Sequence, residues 1–175
     1  MQLGGQKLAV DPANADPKLR ILGAQLLLSE VLEYVHRGLG VDLKIGNEKL
    51  DHQDQIEYSV NGRAIDKKEM LDGLADTAYT MYWNMLAFGM KLEEAFDLVC
   101  DNNLEKFVLL NNWTDGEKVI EQSGWHLNQE ISWPPEVVSV QSVKVDGKYY
   151  AVGKDKNGKV RKPSSYVSVD LSSLV

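Results

Sequence analysis

Two long segments of the chain have the pattern of helices that are apolar on more than one face. They are residues 17–38, rich in Leu with Ile21, Val31 and Val35, and Lys67–Phe88, rich in Leu, Met, Ala and aromatic side chains. The pair Asp16-Pro17 supplies an N-cap residue and a first-turn proline, while Gly38 and Gly89 are typical of helix ends. Because a helix that is apolar on several faces is normally buried, we expect the core to be built from helices.

The other segments of residues 1–133 have patterns that predict two more helices and one long connection. Apolar residues at helical spacing predict a third helix from Leu92 to about Leu110, and a short fourth helical piece is expected around residues 115–122. Residues 1–15 read as an irregular arm. Residues 39–65, rich in Gly and Asn, predict a loop or hairpin excursion with a β-like piece at Ile56–Val60.

From residue 134 the pattern changes to short strands. Alternating valines predict a strand up to Val145, and Asp146-Gly147 is a hairpin-turn signal before a second strand at Tyr149–Val152. Asn157-Gly158 is a second turn signal, followed by a third strand that includes 166–169. We therefore expect a mainly α fold: a helical domain over residues 1–133, with a bundle of about four helices, and a small antiparallel β appendage over residues 134–175.

Charge and cysteine content limit the classes of function. The 175 residues include 26 acidic and 19 basic side chains, a formal net charge of −7. The negative electrostatic field of this net charge disfavours binding to nucleic acids and to anionic membranes, because such binding requires a basic patch. The one cysteine cannot form an internal disulfide, and we find neither a signal-peptide pattern nor an apolar run of membrane-spanning length. These features favour a cytoplasmic protein.

Each of the two long helices carries carboxylates on an apolar stripe. At 100° per residue Glu30 and Glu33 continue the leucine stripe of the first helix. On the second helix one stripe holds two groups, the acids Glu69, Asp72 and Asp76 and the aromatic residues Tyr79 and Trp83. Burying several carboxylates without a cation is unfavourable. A hard divalent cation such as Mg²⁺ or Mn²⁺ would resolve this conflict, because it takes oxygen ligands and bridges phosphates.

Simpler interpretations exist for individual residues. Glu69 has the spacing of a capping-box partner for Asp66, and Arg37 could pair with Glu33 one turn away. Tyr79 and Trp83, at helical spacing, could be ordinary core residues. The combination of two acidic rows on two helices is what favours a metal site.

The same rows resemble a known family. Glu30-Val31-Leu32-Glu33 followed by Glu69-Met70-Leu71-Asp72 is similar to the paired ExxE and ExxD motifs of the all-α nucleoside triphosphate pyrophosphohydrolases, which include MazG-like, phosphoribosyl-ATP pyrophosphohydrolase-like and dimeric dUTPase-like proteins. Residues 72–79, residues 87–89 and Asn102-Asn103-Leu104-Glu105-Lys106 resemble the small phage-type MazG-like branch. In that last stretch Asn103 and Lys106 match the branch, whereas Asn102 and Glu105 depart from it.

This resemblance implies a reaction and a set of roles. A nucleoside triphosphate and water would give the monophosphate and pyrophosphate, with Mg²⁺ or Mn²⁺ held by the acidic rows. The implied metal ligands are Glu30, Glu33, Glu69 and Asp72, with Asp76 as a further ligand or as an acceptor behind the ligands. Either Glu30 or Glu33 would orient or deprotonate the attacking water. Lys106 is the candidate phosphate clamp with Asn103 as its hydrogen-bonding partner, and Tyr79 and Trp83 could flank the base or the sugar.

Two departures from the family leave details open. The excursion at 39–65 is long, and Ser29 stands where many relatives have another Glu, so the number of metal ions is not defined. Whether Asp72 or Asp76 is the principal ligand of the second helix is also open. The resemblance further implies a homodimer or a homotetramer.

The substrate and the class of protein leave alternatives as well. Because the phage-type branch includes MazZ-type (d)GTP diphosphohydrolases, (d)GTP is the preferred substrate, with dUTP or dCTP as the alternative. A helical interaction protein without enzymatic activity is the rival from a different class.

Overall fold

A computed structural model describes Pro12 and residues 15–120 and 131–175. The expected N-terminal arm, apart from Pro12 and Ala15, lies outside the described residues, as does the end of the expected fourth helical piece. The chain divides into two compact units, Ala9–Lys67 and Lys68–Val175.

The first unit begins with helix α1, Pro17–Glu33, which starts as the sequence predicts. The carboxylate of Asp16 accepts a hydrogen bond of 2.9 Å from the backbone N–H of Leu19, which caps the first turn. The helix then continues into a π-helical segment, Tyr34–Gly38, so the predicted end at Gly38 is confirmed. Of the α1 side chains only Leu22 and Leu32 are buried.

The excursion after α1 contains a small hairpin. Strands β1, Leu43–Ile45, and β2, Glu48–Leu50, pair antiparallel around a turn in which Gly46 has φ +62°. Gln55 fastens the next turn: its Oε1 accepts from the backbone N–H groups at 51 and 52, and its Nε2 donates to the carbonyl of Lys49. The predicted hairpin excursion is thus present, but its strands lie before residue 51. The predicted β-like piece at Ile56–Val60 is not a strand.

The second unit contains two helices in sequence. Helix α2 spans Lys67–Phe88 and ends before Gly89, whose φ is +65°, as predicted. Helix α3 spans Leu92–Leu104, about two turns shorter than expected. The chain turns after residue 104, and Val108–Leu109 pairs with a strand instead of continuing the helix.

A four-stranded antiparallel sheet forms the rest of this unit. Its strands are β3, Val108–Leu109; β4, Val119–Ile120; β5, Val137–Val145; and β6, Lys148–Asp155. The spatial order is β3-β6-β5-β4, so two short strands from before residue 121 flank the β5–β6 hairpin. Asp146 and Gly147 both have positive φ, which confirms the predicted hairpin turn. The described part, 115–120, of the helical piece predicted around 115–122 is instead a loop leading into β4, and 166–169 is not a strand.

The buried core lies on this sheet and not between helices. Its members are Val108, Leu110, Ile120, Trp133, Val137, Val140 and Ala151. Helix α2 has no buried side chain. The prediction of a mainly α bundle with a separate β appendage is therefore wrong. Within the described residues the fold is mixed α/β, with three α-helices, 42% helix, 19% strand and two antiparallel sheets.

Candidate functional site

The first acidic row lies where α1 changes its geometry. Glu30 is in the last turn of α1 and Glu33 is its final residue, and both side chains are exposed. At i,i+3 on a helix the two carboxylates are neighbours on one surface. The π-helical segment follows directly, and such turns occur frequently at functional sites.

Glu33 also has the partner that the simpler interpretation predicted. Its Oε1 accepts a hydrogen bond of 3.0 Å from Nη1 of Arg37, and both side chains are more than half exposed. An exposed pair of this kind contributes only a few tenths of a kcal/mol, about 0.3–0.5 for an i,i+4 pair. The pair is thus weak enough for a cation to displace Arg37.

The second row occupies the first three turns of α2. Glu69, Asp72 and Asp76 follow one another at helical spacing, and all three side chains are exposed. Among the described residues no hydrogen bond or ion pair holds the carboxylate of Asp72 or of Asp76. The expectation that these acids sit on a buried helix is wrong for the single chain, because α2 has no buried side chain.

The two rows belong to different compact units. Glu30 and Glu33 lie in Ala9–Lys67, and the α2 acids lie in Lys68–Val175. A metal site shared by both rows therefore stays a prediction. Over 15–120 and 131–175 there is no group of three or more His, Cys, Asp or Glu side chains that could hold a metal ion.

The aromatic residues of α2 extend the acidic stripe. Tyr79 and Trp83 are 72% and 57% exposed, so in the single chain they are not core residues. At i,i+4 they lie one turn apart, three and seven residues beyond Asp76. An exposed aromatic pair beside carboxylates offers a stacking surface for a planar group.

Asn103 and Lys106 lie at the end of α3 and not within a longer helix. Asn103 is in the last turn, and the backbone N–H of Lys106 is 3.4 Å from the Asn103 carbonyl in the turn that follows. Both side chains are half-buried. They remain three residues apart, although the predicted helical face that they share ends at Leu104.

Sequence reasoning missed the contacts that surround this turn. Asn102, one residue before Asn103, is buried and bonds to Tyr166 and Val167 of the C-terminal segment. The ammonium of Lys106 lies 6.0 Å from the ring centre of Tyr166. The one signal in the sequence was that Asn102 departs from the pattern of the resembling branch.

Electrostatic perturbations in the second unit lie mainly outside the acidic rows. Lys118 donates to Asp115 and holds the pKa of that carboxyl below its ordinary value. Burial lowers the pKa of Lys154 on β6, whose Nζ donates to Oε1 of Gln141 at 3.2 Å.

No described helix combines the length and apolar character that crossing a bilayer requires. A comparison of the chain with protein-family models, with curated proteins and with solved structures finds no match.

Proposed function

We propose that the chain is a metal-dependent nucleoside triphosphate pyrophosphohydrolase of the cytoplasm. The observation that supports this proposal is the placement of both acidic motifs on regular α-helix. Glu30 and Glu33 share a surface of α1, and Glu69, Asp72 and Asp76 share a surface of α2, with exposed carboxylates in both rows. This is the spacing that an ion bound between helices needs.

The residues suit Mg²⁺ or Mn²⁺, because these ions prefer carboxylate oxygens. Glu30, Glu33, Glu69 and Asp72 would hold the ions, with Asp76 as a further ligand or an acceptor behind them. When bound, the metal would neutralise the triphosphate and lower the pKa of a water molecule. Either Glu30 or Glu33 would orient the attacking water or accept its proton.

The rest of the substrate meets residues outside the acidic rows. Lys106 and Asn103 would contact phosphate oxygens, and Tyr79 and Trp83 would offer stacking surfaces for the base. Stacking of a base on an aromatic side chain contributes about 1–3 kcal/mol. We propose (d)GTP as the preferred substrate, with dUTP or dCTP as the alternative.

We also propose that the protein is a homo-oligomer, a dimer or a tetramer, in which a second copy covers α2. Apart from Tyr79 and Trp83, seven large apolar or aromatic side chains of α2 are at least 45% exposed in the single chain: Met70, Leu71, Leu74, Met81, Tyr82, Leu86 and Phe88. Apolar surface of this extent marks an interaction site. A second copy supplies an identical helix, which suits a two-fold interface.

Product analysis tests the enzymatic proposal. The purified protein is incubated with each common ribo- and deoxyribonucleoside triphosphate in Mg²⁺, Mn²⁺ or EDTA, and the products are separated by chromatography. We expect direct conversion to monophosphate and pyrophosphate that EDTA abolishes. Glu30→Gln and Asp72→Asn should remove the activity, whereas Glu94→Gln, an exposed acid on α3, should retain it.

Other outcomes contradict the proposal in different ways. Stepwise release of phosphate would identify a phosphatase. Absence of turnover with every nucleotide, from protein whose fold is intact by circular dichroism, would favour the interaction protein. The exposed apolar surface of α2 would then be the binding surface of that protein.

A further inference from the structure

The buried amide of Asn102 joins α3 to the C-terminal segment. It is the one buried side chain of α3. Its Nδ2 donates to the carbonyl of Val167 at 2.7 Å, and its Oδ1 accepts from the hydroxyl of Tyr166. A buried amide needs such partners. Both partners come from residues more than 60 positions later in the chain, so they fix this segment at the end of α3.

The same segment is fastened at two further points. At its start Arg161 donates to the buried carboxylate of Asp155, with contacts of 2.8 and 2.9 Å. In the middle the backbone N–H of Ser164 donates to the carbonyl of Ser132, and the hydroxyl of Ser164 accepts from the N–H of Ser132, both at 2.8 Å. The chain from 161 to 167 is thus held in place on both sides of Lys162.

Two lysines of distant sequence approach one aromatic ring. The ammonium of Lys162 lies 4.5 Å from the ring centre of Tyr166, and that of Lys106 lies 6.0 Å from it. The two nitrogens are therefore at most 10.5 Å apart. Contact with the ring favours each cation. An anion within reach of both ammonium groups would gain a charge-assisted contact with each.

We propose that Lys162 and Lys106 form a phosphate-binding site, which the C-terminal segment assembles by docking Tyr166 on Asn102. The site would take the β- and γ-phosphates of the substrate, the part that leaves as pyrophosphate. The identity of this anion rests on the proposed function, whereas the placement of the two cations is independent of it. Tyr166 acts as a positioning residue, because it orients Lys162 without being assigned a contact to substrate.

Binding of inorganic tripolyphosphate to the full chain, measured by calorimetry, tests the site without requiring catalysis. Lys162→Gln should weaken binding about tenfold, which is the loss of one charge-assisted contact. The matched control is Lys156→Gln, which removes the same charge from an exposed position in the neighbouring turn and should change binding less than twofold. Tyr166→Phe removes the hydroxyl that reaches Asn102 and should also weaken binding.

Kinetics separate a positioning role from a structural one. If turnover is present, Lys162→Gln and Tyr166→Phe should raise KM for the triphosphate more than they lower kcat, with an unchanged thermal midpoint for Lys162→Gln. If Tyr166→Phe does not fold, the Lys162→Gln variant alone tests the proposal, because Lys162 is exposed and its replacement should leave the fold intact.

The outcomes distinguish this inference from the enzymatic one. If tripolyphosphate binding depends on Lys162 but no nucleotide is turned over, the anion site is supported and the proposal of hydrolase activity is contradicted. If the enzyme turns over and Lys162→Gln and Lys156→Gln have equal affinities for tripolyphosphate and equal KM values for the triphosphate, the anion site is overturned. The proposal of hydrolase activity is then unaffected. A wild-type chain that does not bind tripolyphosphate would also overturn it.

Discussion

Gly153 on β6 lies directly against the indole ring of Trp133. A Cβ atom added at residue 153 would meet Cδ2 and Cζ3 of the tryptophan at 2.8 Å, and Cε3 at a still shorter distance. Atoms in a well-packed core cannot move far enough to relieve such a contact. The glycine is therefore required by the close approach of the ring to the backbone of the strand.

Replacing Gly153 by alanine should destabilise the protein by about 1–3 kcal/mol, the usual cost of overpacking a core. Urea unfolding followed by tryptophan fluorescence measures the change. Gly73→Ala is the control, because a Cβ at this helical position meets nothing within 4 Å and should stabilise α2 slightly. Equal stability of Gly153→Ala and wild type would show that the ring does not pack on β6 as described.

The buried carboxylate of Asp155 organises the turn that follows β6. Its Oδ1 accepts from the backbone N–H groups of Asn157 and Lys159, and its Oδ2 accepts from Arg161. Asp155→Ala leaves these donors without their acceptor and should lower the free energy of unfolding by about 2–3 kcal/mol. Asp155→Asn keeps an acceptor for the backbone and should cost less, and urea unfolding of both variants checks this order.

The lowered pKa of Lys154 predicts that the stability of the fold changes with pH in the alkaline range. Because burial lowers the pKa of its ammonium in the folded state, the charged form destabilises the fold relative to the unfolded chain. That cost is fully present at neutral pH. It is relieved as the pH rises through the lowered folded pKa towards about 10.4, the value of an ordinary lysine. Lys154→Met should therefore exceed wild type in stability at neutral pH, with an advantage that shrinks at alkaline pH. An advantage that grows with pH would contradict this sign.

Metal binding should appear as thermal stabilisation. An ion that binds only the folded state raises its stability by about 2.7 kcal/mol at 100 times its dissociation constant. We expect Mn²⁺ to raise the melting midpoint of wild type and of Glu94→Gln, but not that of Glu30→Gln combined with Asp72→Asn. A shift that persists in the double variant would place the ion elsewhere.

Assembly through α2 can be tested at one exposed position. Leu86 is 76% exposed in the single chain, and glutamate in its place would bring a charge into an apolar interface. Light scattering after size exclusion should give a multiple of the chain mass for wild type and a smaller assembly for Leu86→Glu. Ile45→Glu, at an equally exposed residue of β1, should keep the wild-type mass.

Local signals predicted the helix ends and the hairpin turn because their causes are local. Asp16 caps α1 three residues away, Gly89 ends α2, and Asp146-Gly147 adopts the positive φ angles that such a turn needs. The two-residue strands β3 and β4 could not be recognised. Two residues are too few to show an alternating pattern, and Phe107 and Leu110 also fit the period of a helix.

For the candidate site, too, the sequence predicted local features but not contacts between distant residues. The helical setting of Glu30 and Asp72 followed from spacing along one element. The docking of Tyr166 on Asn102 depends on a contact across 64 residues, which spacing cannot reveal. The assumption that apolar helices are buried within one chain also failed, because α2 has no buried side chain.

The strand order of the sheet has a consequence for synthesis. Val108 and Ile120 leave the ribosome well before their partners Ala151 and Val140 exist. At about 5–20 residues per second, several seconds can pass in which α2 and α3 are complete but the sheet cannot close. During that interval β3 and β4 lack their partner strands, and a message truncated before β6 would release a product in which Val108 has no strand to pair with and Ala151 is missing from the core.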